Sequence, residues 1–239
     1  MAKYLLILLT LSFSVYTHAQ ENNESVIVLE LFTSQGCSSC PPADVLLDDI
    51  KETYSDQNVF VLSYHVDYWN RLGWKDPFSA ESFSDYQRDY AQQFYSRSIY
   101  TPQLVVNGSE HFTGSNGTKA EYALKKYSKS KATNAIKLTE VKRNNNEVIL
   151  NYAVNGDEFN RVTLALVVSE RITEVRRGEN RNRTLKNSNI VANRLVKKEN
   201  SGEIKLIIPD WIQNSDELSV IAYTQDKMLK TTGAVKIEI

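Results

Sequence analysis

The chain has 239 residues, and 28 lysines and arginines against 29 aspartates and glutamates give it a formal net charge of −1. This balance excludes binding to nucleic acids or anionic membranes through the charge of the whole chain. Two cysteines are too few for a metal site built from four thiolates. The length allows one large hydrophobic core or two smaller ones.

The first residues predict export. Lys3 precedes an apolar stretch, Leu5 to Val15, that is too short for a membrane-spanning helix. Thr17-His18-Ala19 is an acceptable cleavage site. We therefore expect residues 1–19 to be a signal peptide and the mature protein to be periplasmic or secreted, where cysteines tend to be oxidised. An uncleaved membrane anchor is the alternative.

Cys37 and Cys40 are separated by two residues at a predicted strand-to-helix turn. The apolar segment Val26 to Phe32 precedes them, and a helical pattern begins at Pro41. Such a pair is typical of thioredoxin-like redox sites, because amide groups at a helix start stabilise a thiolate. We expect Cys37 to attack or be attacked and Cys40 to resolve the mixed disulfide. A structural disulfide or part of a metal site are the alternatives.

Strands and helices alternate in the first half of the chain. The order strand, helix, strand predicts a parallel pair, and residues 67–98 form an aromatic and helical insertion. The strong turn signal Asn107-Gly108 predicts a hairpin. The predicted strands are 25–33, 59–66, 103–106 and 111–113, and the predicted helices are 41–54, 79–96 and 115–129. This order predicts an α/β thioredoxin-like domain over residues 20–131.

The second half has the pattern of short antiparallel strands. Alternating apolar residues and turn signals predict seven strands, and together these indicate a separate all-β antiparallel sandwich over residues 132–239. The predicted strands are 136–143, 147–154, 162–169, 190–196, 204–208, 218–223 and 235–239.

A basic loop is predicted between the strands of this half. Arg171 to Lys198 contains nine lysines or arginines and two acidic residues. The loop could meet an acidic partner, fold against the first domain through Glu179 and Arg183, or remain solvated. No aromatic residue lies between its charges, which argues against binding single-stranded nucleic acid.

Four longer motifs resemble one protein family. They are ELFTSQGCSSCPPAD from Glu30, SYHVDYWNRLGWKDPF from Ser63, YTPQLVVNG from Tyr100 and GENRNRTL from Gly178. Together they resemble the secreted thioredoxin-like family catalogued as domain of unknown function 1223. The resemblance implies a thioredoxin-like fold and export, and it implies no established activity.

The cysteine motif also departs from thioredoxin itself. Gly36 stands where thioredoxin has tryptophan, and Ser38-Ser39 stands in place of Gly-Pro. The Pro41-Pro42 pair is foreign to thioredoxin as well. These differences weaken the expected stabilisation of a Cys37 thiolate.

Several residues are expected beside the cysteines, because functional groups of open α/β sheets collect beyond the carboxyl ends of strands. Thr101-Pro102 matches the position of the cis-proline turn of thioredoxin-like proteins, so we predict a cis peptide that shapes a substrate groove. Trp69 is expected to form an apolar wall for a partner peptide or to pack the insertion onto the domain.

Two titratable residues are candidates for proton transfer. His65 could exchange protons with a cysteine, complete a copper site with Asp67 behind it, or be structural. Glu30 interrupts the first apolar strand, where it could move protons for the cysteines or reach solvent at the strand edge.

These observations predict an exported thiol–disulfide oxidoreductase that acts on protein thiols or disulfides, with no cofactor and no bound metal. A non-catalytic secreted binding or assembly protein with a structural disulfide is the first alternative. A copper metallochaperone using Cys37, Cys40 and His65 is the second. We expect no nucleic-acid partner and no membrane span after signal cleavage.

Overall fold

The computed structural model describes residues 24–239, so the predicted signal peptide lies outside the described residues. The helices of this part are α1 (Pro41–Thr53), α2 (Glu81–Gln93) and α3 (Gly117–Tyr127), and Asn70–Leu72 form a short 3₁₀ turn. The strands are β1 (Ile27–Thr33), β2 (Val59–His65), β3 (Gln103–Val106), β4 (Glu110–Thr113), β5 (Asn134–Arg143), β6 (Glu147–Gly156), β7 (Arg161–Val175), β8 (Arg183–Lys197), β9 (Ser201–Ile207), β10 (Leu218–Gln225) and β11 (Thr231–Glu238).

Local patterns in the sequence predicted the elements of the first half well. Strands β1 and β2 are parallel, as expected. Helix α1 begins with the two prolines, which fit only its first turn. Asn107 and Gly108 have φ values of 48° and 58°, the left-handed backbone that the turn between β3 and β4 requires.

The predicted fold class is wrong at the level of the sheets. Eight strands from both halves of the chain form one mixed sheet in the order β11-β10-β7-β8-β2-β1-β3-β4. A second sheet contains three antiparallel strands, β5-β6-β9. The first half is therefore not a closed α/β thioredoxin-like domain, and the second half is not a separate sandwich. The division of the chain at residue 131 stays a prediction.

The large sheet is covered on both faces. Helix α2 packs on one face, where Phe83, Tyr86 and Tyr90 join a core with side chains of β1, β2, β7 and β10. Helices α1 and α3 pack on the other face of β1 and β3. Farther along that face, the three-stranded sheet packs on alternate residues of β7 such as Leu164 and Leu166. Strand β7 thus separates two cores, as a central strand does.

The predicted basic loop is largely a hairpin. Strands β7 and β8 pair along most of its length, from Val162 opposite Lys197 to Val175 opposite Arg183. Only residues 176–182, which we call the hairpin tip, lie outside the strands. Charged side chains hid the strand pattern because they occupy the exposed positions, while Val175 and Leu185 are buried.

A buried carboxylate joins the two halves of the chain on the α2 face. Glu30 of β1 is fully buried, and its carboxylate accepts hydrogen bonds at 2.7 Å from the hydroxyls of Tyr86 and Tyr223, and one from Tyr90. The Arg194 guanidinium lies 3.7 Å from the centre of the Tyr86 ring. Glu30 therefore does not reach solvent, and its charge is compensated inside the core.

The tyrosines of this cluster act as neutral donors. Burial raises the pKa of Tyr86 to about 12, and burial together with the Glu30 charge holds the pKa of Tyr223 well above its ordinary value. Both phenols therefore keep their protons at physiological pH and donate hydrogen bonds to Glu30.

We expect Tyr223→Phe to lower the free energy of unfolding by about 1.5–3 kcal/mol, because it removes a buried hydrogen bond to a charged group. Urea unfolding at neutral pH measures the change. Tyr122 of α3 is 69% exposed, so Tyr122→Phe is the matched control and should change stability by less than about 0.5 kcal/mol. Equal losses in the two variants would contradict the role assigned to Glu30.

Candidate functional site

Cys37 and Cys40 form a disulfide in the turn between β1 and α1, with their Cα atoms 5.4 Å apart. Backbone hydrogen bonds from Cys37 N to Ser34 O (3.1 Å) and from Cys40 N to Cys37 O (3.2 Å) build this turn. Both cysteines are fully buried, although Ser38 and Ser39 between them are exposed. The disulfide therefore lies just beneath the surface.

The start of α1 offers the cysteines little anion stabilisation. Pro41 and Pro42 have no N–H group, and the amides of Ala43 and Asp44 both donate to the carbonyl of Cys40, at 2.8 and 3.1 Å. Among the described residues, the amides of Cys37, Ser38 and Cys40 also have acceptors, which leaves Ser39 N as the backbone donor of this turn without one. The Ser39 hydroxyl, 3.4 Å from Cys37 Sγ, is the nearest side-chain partner of that sulfur among the described residues.

The hairpin tip covers the cysteine turn. The side-chain amide of Asn180 donates to Gln35 O (2.9 Å) and Cys37 O (2.8 Å). The Glu179 carboxylate accepts from Ser38 N at 3.0 Å. Asn180 is fully buried, and Arg183 donates to its side-chain oxygen at 2.8 Å. The second half of the chain thus completes the site, and the predicted contact through Glu179 is present.

The structure brings the predicted groove residues to the same turn. The Trp69 indole donates to the Thr101 hydroxyl at 2.8 Å, and the Thr101–Pro102 peptide is cis, as predicted. A Cβ atom on Gly36 would lie 3.2 Å from Trp69 Cβ, so glycine allows this close approach. Pro102 lies against Gly114, near the first turn of α1.

His65 lies behind the turn in a buried ion pair. Its Nδ1 is 2.7 Å from Asp76 Oδ2, which also accepts a hydrogen bond from Gln35 N at 2.8 Å. Burial opposes charging of the imidazole, but the attraction of Asp76 outweighs it and raises the pKa of His65. The partner of His65 is therefore Asp76 and not Asp67, whose carboxylate accepts from Ser84 at 2.5 Å.

Asp44 lies beside this pair, and its pKa is shifted far from the ordinary value of a carboxyl group. Burial raises its pKa to about 7, although the charge of His65 and the nearby Thr33 and Asn187 side chains oppose the shift. The opposition is incomplete because Asp44 Oδ1 makes no hydrogen bond to the described protein. His65 Nε2 also lacks such a bond. Asp44 therefore exchanges its proton near neutral pH.

Sequence reasoning missed several of these residues. Asp44 follows Cys40 by one helical turn, so its spacing could have placed it on the buried side of α1. Asn180 and Asn187 lie 140 or more positions from the cysteines, and no local pattern identifies them as neighbours. Glu30 belongs to the tyrosine cluster instead of this site. Among residues 24–239, no three His, Cys, Asp or Glu side chains are arranged to hold a metal ion.

A family model described as "Protein of unknown function (DUF1223)" matches residues 28–225. The chain belongs to this family. The family resemblance carried by the four sequence motifs is thereby confirmed. No curated protein matches the chain.

A solved structure is similar to this DUF1223 chain over most of its length. The crystal structure of protein AGR_C_4864 from Agrobacterium tumefaciens has a TM-score of 0.62 and 25% identity, and the match covers 90% of this chain and 95% of that one. Two β-glucosidase structures from Kluyveromyces marxianus match about half of this chain with TM-scores of 0.22 and 0.23 and identities of 9% and 11%. These weak matches cover 14% and 16% of the β-glucosidase chains and carry no argument about fold or function.

We expect Asp44→Asn to change how stability depends on pH. The folded-state pKa of Asp44, about 7, lies above its ordinary value of 3.8, so folding favours the protonated form. The wild type therefore loses stability as the pH rises from about 4 to about 7, and the variant should gain up to about 4 kcal/mol relative to it.

Urea unfolding at several pH values measures this difference. Asp49 lies on the exposed side of the same helix, so Asp49→Asn is the control and should follow the wild type across the range. A constant difference between Asp44→Asn and wild type from pH 4 to pH 8 would show that Asp44 does not titrate between these values.

Proposed function

We propose that this protein is an exported thiol–disulfide exchange protein that acts on protein thiols or disulfides through Cys37 and Cys40. The observation that carries the proposal is the disulfide at the start of α1, next to a carboxyl that titrates near neutral pH. The signal-like sequence of residues 1–19 supports export, and disulfides persist outside the cytosol. Among residues 24–239 there is no helix long and apolar enough to cross a membrane.

The exchange would proceed in two steps. A thiolate of a substrate dithiol attacks Cys37 Sγ, a mixed disulfide forms, and Cys40 leaves as a thiolate. The second substrate thiolate then attacks the substrate sulfur of the mixed disulfide and releases the Cys37 thiolate. The substrate dithiol loses two electrons and the cysteine pair gains them. The reverse sequence reduces a substrate disulfide.

Asp44 is placed to serve the Cys40 sulfur in this scheme. Both side chains are buried; Cys40 is the residue before α1, and Asp44 follows it by four residues in the first turn of the helix. In the forward direction protonated Asp44 gives its proton to the Cys40 thiolate, and in reverse its carboxylate takes the proton back. Asp76 orients the turn through its hydrogen bond from Gln35 N, and the positive charge of His65 favours the Asp44 carboxylate while the negative charge of Asp76 opposes it.

Thr101, Pro102 and Trp69 are the proposed contacts for a substrate segment. They lie around Gly36 and the first turn of α1, beside the disulfide. Trp69 and Thr101 are partly exposed, so a partner chain can reach them.

We expect a reduction potential between about −300 and −200 mV, because Pro41 and Pro42 have no N–H group and the next two amides of α1 donate to Cys40 O, so the helix start adds little stabilisation to a reduced thiolate. Equilibration with defined dithiothreitol and glutathione buffers, followed by thiol labelling, measures it. A more oxidising value near −120 mV, as in strong oxidants, would contradict this account of the turn.

A non-catalytic protein with a structural disulfide is the second candidate. The full burial of Cys37 and Cys40 and their coverage by Asn180 favour it, because an exchanging sulfur must be reached by a partner. A potential below about −300 mV would support this candidate over the first.

Trapping in cells separates the two candidates further. We expect Cys40→Ser to accumulate mixed disulfides through Cys37, because the resolving sulfur is absent, and these appear as additional bands on non-reducing gels. Cys37→Ser is the matched control and should trap little, since in the proposed scheme the substrate sulfur bonds to Cys37 and not to Cys40. Absence of adducts from both variants would favour the structural disulfide.

A further inference from the structure

The hairpin tip has exposed positive charges as well as the side chains that hold the cysteine turn. Arg176, Arg177, Arg181 and Arg183 are all exposed, and none forms an ion pair with any residue between 24 and 239. Core packing does not require four such side chains in the tip and at the first position of β8.

A second loop adds to this charge. A Cβ atom on Gly178 would lie 3.1 Å from Trp74 Cβ, so the tip touches the loop that follows β2. Arg71 and Lys75 of that loop are exposed and also lack ion-pair partners within the described range. We call these six side chains the cationic rim. Its members are Arg71, Lys75, Arg176, Arg177, Arg181 and Arg183.

The rim lies beside the cysteine turn, and the overall composition of the chain does not account for its positive charge. Glu179 and Asn180, in the middle of the tip, bond directly to Ser38 and Cys37. The whole chain has a net charge of −1, so this concentration of positive charge is local. The acidic residues of the tip region are few: Glu174 is exposed, and Glu179 is bonded to Ser38 N.

We infer that the cationic rim docks an acidic polypeptide segment and so selects the partners whose thiols or disulfides reach Cys37. This inference rests on the proposed function and names its substrate class. Five of the six rim residues are arginines, whose planar guanidinium groups bind carboxylates with two parallel hydrogen bonds. Local charge of this kind also speeds the encounter of oppositely charged partners.

A nucleic acid fits the rim less well than a polypeptide. Binding of single strands uses aromatic side chains that stack on the bases, and no aromatic residue lies between Arg171 and Lys198. The chemistry at Cys37 also needs a sulfur in the partner, which polypeptides supply.

The test measures binding without exchange. The probe is a fluorescein-labelled glutamate-rich peptide with one serine in place of cysteine, and its control has glutamine at every glutamate position. Anisotropy titrations use the oxidised mature protein. We expect the acidic peptide to bind at least about tenfold more tightly than the glutamine control, with an affinity that falls as salt is raised.

The variant R176Q/R177Q/R181Q should lose about tenfold or more in affinity for the acidic peptide. The matched control K119Q/K125Q/K129Q removes the same charge from exposed lysines of the α3 segment and should stay within about twofold of wild type. Circular dichroism melting curves check that both variants fold.

Three results would overturn the inference. They are equal losses in the two variants, equal binding of the glutamine control, and tighter binding of a single-stranded oligonucleotide of equal charge. The proposed function is tested separately with a cysteine-containing acidic peptide. Binding of the serine peptide without exchange of the cysteine peptide would reject the exchange function and leave the docking surface in place.

Discussion

The site depends on the junction between β2 and β8. Strand β8 pairs in parallel with β2 through Ser63 and Ile190, and the Asn189 side chain donates to Val61 O at 2.9 Å. This junction extends the central sheet with strands of the second half. It also fixes the position of the β7–β8 hairpin, whose tip supplies Asn180 to the cysteine turn. Without the junction, the disulfide would be open to solvent on one side.

Glu30 of β1 and Asp44 of α1 are both buried acidic side chains, but their surroundings differ. Glu30 accepts hydrogen bonds from three tyrosines, with Arg194 nearby, so its charge is compensated. These contacts link the two halves of the chain. Asp44 has no comparable set of donors, and its pKa rises to about 7. A fold optimised only for stability would not keep a carboxyl in that position. Perturbed titratable groups of this kind cluster at functional sites.

Sequence patterns predicted the helices and strands of the first half and part of the site. They did not predict which strands pair in the large sheet. Period-two and helical patterns, Pro41, and the Asn107-Gly108 turn report local backbone preferences, so the elements of the first half were predicted closely. The pairing of β2 with β8 joins residues 127 positions apart at Ser63 and Ile190, and no local pattern encodes it. The cysteines, Trp69 and Thr101 were therefore found, whereas Asn180 was not.

The hairpin tip links partner binding to access to the disulfide. It covers the cysteine turn with three hydrogen bonds, from Asn180 to two carbonyls and from Ser38 N to Glu179, and it also holds three of the six residues of the cationic rim. At about 1 kcal/mol net for each of the two buried Asn180 bonds, opening the tip costs about 2 kcal/mol, which leaves roughly one molecule in thirty open. Under the proposed function, a thiol that does not bind the rim would reach Cys37 only in the small fraction of molecules whose tip is already open. A ligand that binds the open tip better than the closed one shifts the equilibrium by that difference in affinity. Selection of an acidic partner and exposure of Cys37 would then be one equilibrium and not two separate events.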